Sequence, residues 1–209
     1  MHAVQYLHEN QIVHRDIKPE NLVLDRRADV AKLCDFGMAD RHGCVVQHGS
    51  GTIPYMSPEV VHAAGSITAH MAHDIWSIGV VLYVLLTGDF PWQKAHAHDV
   101  DYVSYARGDL SRGVWHKFSP ALLAVFARIF VHPSRRCTAA ELLTMLDVPY
   151  FQAKQAQLVS RGSMDTSSED ATQSLYSSKS CSSINEERDM PVPALRLHSA
   201  NSLKESLSS

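Results

Sequence analysis

A mainly α fold with one short β-hairpin, followed by a disordered tail, is the architecture this sequence predicts. Three observations carry it. Apolar residues recur at helical spacing in several separate segments. Two short apolar runs stand close together around a charged turn. The composition then changes abruptly near Ser160.

Taken in order, Met1 to Glu9 carries Val4 and Leu7 on neighbouring turns, a helix that Asn10 is suited to end. Leu22-Val23-Leu24 and the run Val30 to Cys34 flank Asp25-Arg26-Arg27-Ala28-Asp29 and read as the hairpin. Asp74 to Thr87 is apolar almost all round, which predicts a buried central helix. Gly88 is its stop signal, with Pro91 just beyond. His98 to Arg107, Pro120 to Phe130 and Thr138 to Leu146 read as amphipathic helices, and Thr138 with Glu141 fits a capping box. From Ser160 on, fifteen of fifty residues are serine and aromatics nearly vanish, too little apolar area to offset ordering entropy. Residues 160–209 are therefore expected to be disordered, after a folded domain at 1–150.

The bulk properties exclude some functions. A formal charge of -3 with acids and bases intermixed leaves no stripe for nucleic acid. The longest apolar run, Ile75 to Leu86, is broken by Ser77 and Gly79 and is short for a bilayer. Cys34, Cys44, Cys137 and Cys181 are scattered, as expected of reduced thiols. No basic-then-apolar leader follows Met1, so a soluble, cytoplasmic protein is expected. Among the 13 histidines, His70 with His73 and His96 with His98 are closely spaced. No second ligand pair stands at zinc spacing, so they read as surface or loop histidines.

Three motifs remain. His14-Arg15-Asp16-Ile17-Lys18-Pro19-Glu20-Asn21 is followed fourteen residues later by Asp35-Phe36-Gly37, and twenty residues further by Ser57-Pro58-Glu59. Each alone carries little weight; their order and spacing, with the hairpin between the first two, carry a great deal. On these residues the segment 1–150 resembles the C-terminal lobe of the protein kinase superfamily.

The resemblance implies a site as well as a fold. Phosphoryl transfer needs an aligned hydroxyl and neutralised phosphate charge more than covalent work by the protein. Asp16 is then the residue that orients or accepts the proton of the substrate hydroxyl, and Lys18 offsets charge on the migrating group. Asn21 and Asp35 are the oxygen ligands of Mg2+ on ATP. Val23 and Cys34 lie beside the nucleotide, Val23 forming the floor below adenine with Val81 and Leu85. His14 and Phe36 belong to a hydrophobic regulatory stack. Asp74 should bond the backbone of the catalytic loop, and Glu59 should pair with Arg136. Arg15 is the residue that grips an activation-loop phosphate in many kinases.

Lys18, with Gly51-Thr52 ahead of Tyr55, is similar to the serine/threonine type, so the implied partners are ATP and a protein substrate. The segments 35–38, 43–44, 50–55 and 87–92 resemble the SH3-binding-domain kinase family. Pro191-Val192-Pro193 meets Ala194 where a second motif proline would stand, so SH3 binding is not expected. Met38 after the Asp-Phe-Gly triplet implies serine over threonine, and Val84 replaces an acid that favours upstream arginine. The position that commonly carries the activating phosphate is His48, leaving Ser50 as the one plausible switch. A loop packed through Val45, Val46 and Ile53 without modification is the expectation. Only thirteen residues precede His14, and they hold no glycine-rich loop or strand lysine. The chain is thus expected to be a kinase fragment inactive by itself, the alternative being a non-catalytic binding or regulatory module.

Overall fold

The computed structural model describes residues 1–25, 30–47 and 51–147. Six helices occur among them: α1 (His2–Glu9), α2 (Pro58–Val61), α3 (Met71–Thr87), α4 (Val100–Ala106), α5 (Pro120–Ile129) and α6 (Ala139–Leu146). Six short strands form three antiparallel pairs: β1 (Ile12–Val13) with β4 (Asp40–Arg41), β2 (Leu22–Asp25) with β3 (Val30–Leu33), and β5 (Val45–Gln47) with β6 (Ser66–Thr68).

Helix α3 organises the rest. Its residues 74–81 are all buried, as an all-round apolar helix demands. It starts three residues earlier than the apolar run suggests, because the His70 side chain caps it by accepting from the Ala72 amide. Gly88 ends it in the left-handed region (φ 77°), its N–H bonding the Val84 carbonyl. Gly79 lets α5 approach: a Cβ there would lie 2.4 Å from Ile129 Cγ2 and 2.7 Å from Phe130 Cε1. Around this contact Trp76, Trp92, Trp115, Phe126 and Phe130 form an aromatic core that also takes in α4 and α6. Within α3 the expectation of burial fails at the C-terminal end, where Leu85 and Leu86 are exposed; Val45 and Ile53, expected to pack their loop, are exposed as well, and of that trio Val46 alone is buried. Periodicity reports how apolar a turn is, not whether another element covers it.

The remaining helices sit close to their predicted places. α1 buries Val4, Leu7 and His8; Asn10 follows it without turning left-handed, a conformation taken instead by Gln11 (φ 59°). α4 begins after Asp99, whose carboxylate caps the amides of Asp101 and Tyr102. The capping box of α6 is present: Thr138 Oγ1 accepts from the Glu141 amide, and Glu141 Oε2 from the Thr138 amide. The hairpin has the register Leu22↔Leu33 through Asp25↔Val30, with Cys34 just past its second strand. Strand pairs β1–β4 and β5–β6 and the four-residue α2 were not anticipated, since two or three residues carry no period. No helix among the described residues is long and apolar enough to cross a membrane. The tail expected to be disordered, Cys181, His48 and Ser50 lie outside the described residues.

Candidate active site

Asp74, on the first turns of α3, is fully buried, and its carboxylate holds the loop that follows β1. One oxygen accepts from the His14 amide and from His8 Nε2, both at 2.9 Å; the other accepts from the Arg15 amide at 2.9 Å. Three donors offset the desolvation that a buried carboxylate otherwise suffers. They also hold Arg15 at φ 71°, a conformation that non-glycine residues rarely adopt. This is the support expected of Asp74. The contribution of His8 was not foreseen, although it sits four residues after Val4 on the buried stripe of α1. A polar residue on such a stripe needs a partner.

The His14 ring is buried and bonded on both sides. Nδ1 receives the Asp16 amide at 3.4 Å, so Nε2 carries the proton and donates to the Cys34 carbonyl at 3.1 Å. Its face meets Phe36, centroids 5.1 Å apart in an edge arrangement. These contacts tie the loop to the segment that leaves the hairpin. Arg15 makes a second tie: its guanidinium donates to the Met38 carbonyl at 3.1 Å.

At the centre, one carboxylate gathers three side chains. Lys18 Nζ lies 2.7 Å from Asp16 Oδ2, and Asn21 Nδ2 donates to that oxygen at 3.1 Å and to the Asp16 carbonyl at 2.7 Å. Thr52 Oγ1 donates to Asp16 Oδ1 at 3.3 Å and accepts from Lys18 at 3.0 Å. Residues 34 positions apart in sequence, Lys18 and Thr52, thus close one polar ring. With Nδ2 committed to Asp16, the amide oxygen of Asn21 faces the other way.

Asp35 stands next door. The Cys34 amide donates to the Asn21 carbonyl at 2.9 Å, and Cys34 Sγ reaches the same oxygen at 3.3 Å. That join brings the start of the Asp-Phe-Gly turn beside Asn21. Asp35 is exposed, at φ 59°, and its Oδ1 accepts from the Gly37 amide at 3.2 Å. Three of the apolar residues assigned to the adenine floor and the regulatory stack are not packed as core. Val23, Phe36 and Leu85 are 54%, 50% and 69% exposed, whereas Val81 is buried. Their sequence pattern is that of core residues; what differs is that no described element lies over them.

The predicted ion pair forms some distance below. Arg136 NH1 and NH2 donate to the two oxygens of Glu59 at 2.7 and 3.2 Å. The same guanidinium bonds the carbonyls of Ala72 and Val131 and lies 4.9 Å over the Trp76 ring. Burial pushes the Glu59 carboxyl upward, but the charge and hydrogen bonds of Arg136 outweigh it and hold the group below its usual range. Neighbouring His73, with Nε2 3.9 Å from Glu59, is lowered to about 4, chiefly by burial. Ser77 on α3 donates to the Tyr55 carbonyl at 2.9 Å, fixing the segment that carries Thr52.

With this geometry, comparison with known proteins is informative. Residues 1–151 match the model of the protein kinase domain. The chain is 41% identical over 153 residues to serine/threonine-protein kinase SBK1 of Mus musculus, an alignment covering 69% of this chain and 37% of that protein. It is 38% identical to the Danio rerio protein of the same name, over 69% of this chain and 40% of the relative. Serine/threonine-protein kinase CHK1 of Saccharomyces cerevisiae is 39% identical over 150 residues, covering 67% and 28% respectively. The chain therefore spans well under half the length of these relatives.

Proposed function

The chain belongs to the eukaryotic protein kinase superfamily, serine/threonine type, and is similar to the SBK kinases; from that membership we propose that it forms the lower half of a site that transfers the γ-phosphoryl group of ATP to serine or threonine hydroxyls of a protein. The observation that carries this reading is the Asp16 carboxylate held by Lys18, Asn21 and Thr52 at 2.7 to 3.3 Å.

The donors suit ATP with Mg2+. Asp35 offers an exposed carboxylate and Asn21 an amide oxygen turned away from Asp16, both hard oxygen ligands that magnesium favours. When bound, the metal nucleotide supplies the transferable group and neutralises part of its charge. The protein's own residues do the positioning. Asp16 orients the incoming hydroxyl and takes its proton; Lys18 adds positive charge beside it; Thr52 fixes the pair relative to the substrate segment. His14 and Arg15, anchored on Asp74, keep the carboxylate in place. Val23 and Cys34 line the nucleotide side.

By itself the 209-residue polypeptide lacks a counterpart of the glycine-rich loop and strand lysine that hold the triphosphate. We assign it no turnover alone. A non-catalytic binding module is the second reading, favoured by the exposed Val23 and Leu85, apolar side chains available to a partner.

A chimera separates the two. Residues 1–209 are joined to the part of the mouse relative that precedes its matched region, then assayed with Mg-ATP and a protein substrate. Transfer is expected, reduced at least about a hundredfold in Asp16→Asn with nucleotide binding retained. Asp35→Ala is expected to weaken Mg-nucleotide binding as well. A folded chimera with neither binding nor transfer would overturn the enzymatic reading.

A further inference from the structure

The cap of α3 is an imidazole. His70 Nδ1 accepts from the Ala72 amide at 3.1 Å, so the ring is neutral with its proton on Nε2. The common caps are hydroxyls, amides and carboxylates, which keep their acceptor through the weakly acidic range. An imidazole does not: a proton on Nδ1 turns the acceptor into a donor facing another donor. The surroundings add to the cost of that charge. The His42 ring meets His70 edge-on at 4.8 Å, and His73 lies 6.0 Å away on the same helix. On α1, His8 and Glu9 line the same cleft. Glu59 of α2 favours the charge, but it is paired with Arg136, which opposes it. The positive end of the helix opposes it as well. Partial burial first, and then His42, hold the His70 imidazole below its ordinary range. A group lowered in this way stabilises the fold above its unfolded value, about 6.5, and that contribution is lost as pH falls through the folded value.

We propose that His70 is an acid-released catch on α3: the neutral ring holds the Ala72 amide, and proton uptake lets it go. The first turn of the helix then loosens without unravelling, because Arg136 NH1 still holds the Ala72 carbonyl at 2.7 Å. The same end of α3 carries Asp74, whose carboxylate accepts from the His14 and Arg15 amides. The loosening therefore reaches the loop of Asp16, and it does so whether or not the chain transfers phosphoryl groups.

The test is amide hydrogen exchange of the purified 209-residue protein from about pH 7.5 to about pH 5, corrected for intrinsic exchange, with the His70 ring nitrogens followed by NMR. Protection of the Ala72 amide should fall at least about fivefold as His70 protonates, roughly the contribution of one hydrogen bond. That of the Arg15 amide should fall at least about twofold, while Val80, fully buried in the middle of α3, stays protected. His70→Asn keeps a capping acceptor that does not titrate and should abolish both falls. His70→Ala should leave both amides weakly protected at either pH. A His70 ring still neutral at about pH 5, an equal fall in His70→Asn, constant protection at Ala72 or Arg15, or a parallel loss at Val80 would each overturn the proposal. Should His70→Ala not fold, the His70→Asn comparison decides.

Discussion

Two regions built around α3 differ in how their polar and apolar groups are satisfied. At its N-terminal end, Asp74 and Arg136 are buried, and the hydrogen-bonded groups around them reach across 60 or more residues of sequence: His14 and His8 to Asp74, Glu59 and Ala72 to Arg136. At its C-terminal end the helix leaves Leu85 and Leu86 exposed, and in the hairpin Val23, Leu24 and Val30 are exposed too. The first region is a finished interior in which charge is tolerated because every charge has its partner. The second is an apolar surface. The contrast shows where the chain's stability is concentrated, and it separates residues that hold the site from residues available to meet something else.

The largest effect should come from breaking the finished end. Arg136→Met strands the Glu59 carboxylate and removes the donor from the Ala72 and Val131 carbonyls. A loss of about 3–5 kcal/mol is expected in urea unfolding of the 209-residue chain. A loss below about 1 kcal/mol would mean that the pair is only a surface contact.

Acid attacks the same end. His73 is lowered to about 4 in the folded protein, mainly by burial, with Glu59 opposing and Arg136 adding to the shift. The unfolded chain takes up that proton near the ordinary histidine value, about 6.5. Stability is therefore full above about pH 6.5 and falls as pH drops toward about 4, by up to about 3 kcal/mol. His73→Asn should flatten the stability profile in that window. The lowered Glu59 acts separately, its stabilisation being lost only as pH falls below the usual carboxylate range. An unchanged profile in the variant would place the acid sensitivity elsewhere.

Midway along α3, Gly79→Ala would drive a methyl group into Ile129 and Phe130. Overpacking of about 1–3 kcal/mol is expected, measurable as a lower thermal midpoint. The smallest effect belongs to the apolar face. Leu85→Ser and Val23→Thr should each change stability by less than about 0.5 kcal/mol, since those side chains are already in water. A large loss from either would show that the face is covered in solution and would erase the contrast between the two ends.

Much of this was legible beforehand, for reasons that differ between residues. The helices could be placed because period, caps and stop signals are local: the Thr138–Glu141 box and Gly88 each act within one turn. Asp16, Lys18, Asn21 and Asp35 could be put forward as site residues because they lie in motifs that resemble those of protein kinases. Other features could not be read. His8 looked like one more histidine on a helix, and nothing local says that its ring meets Asp74, 66 positions away. The two small strand pairs flanking the site were invisible for the same reason, their partners lying far apart in sequence.

The sequence by itself determined the periodic elements, the chemistry available at each position and the membership in a family. Only the tertiary structure decided which apolar residues are core and which are surface. Val81 and Leu85 lie four apart on the same helix face with the same hydrophobic character, yet one is 6% exposed and the other 69%. Burial depends on whether another element packs over a residue, and that is a property of the assembled chain rather than of the residue or its neighbours in sequence.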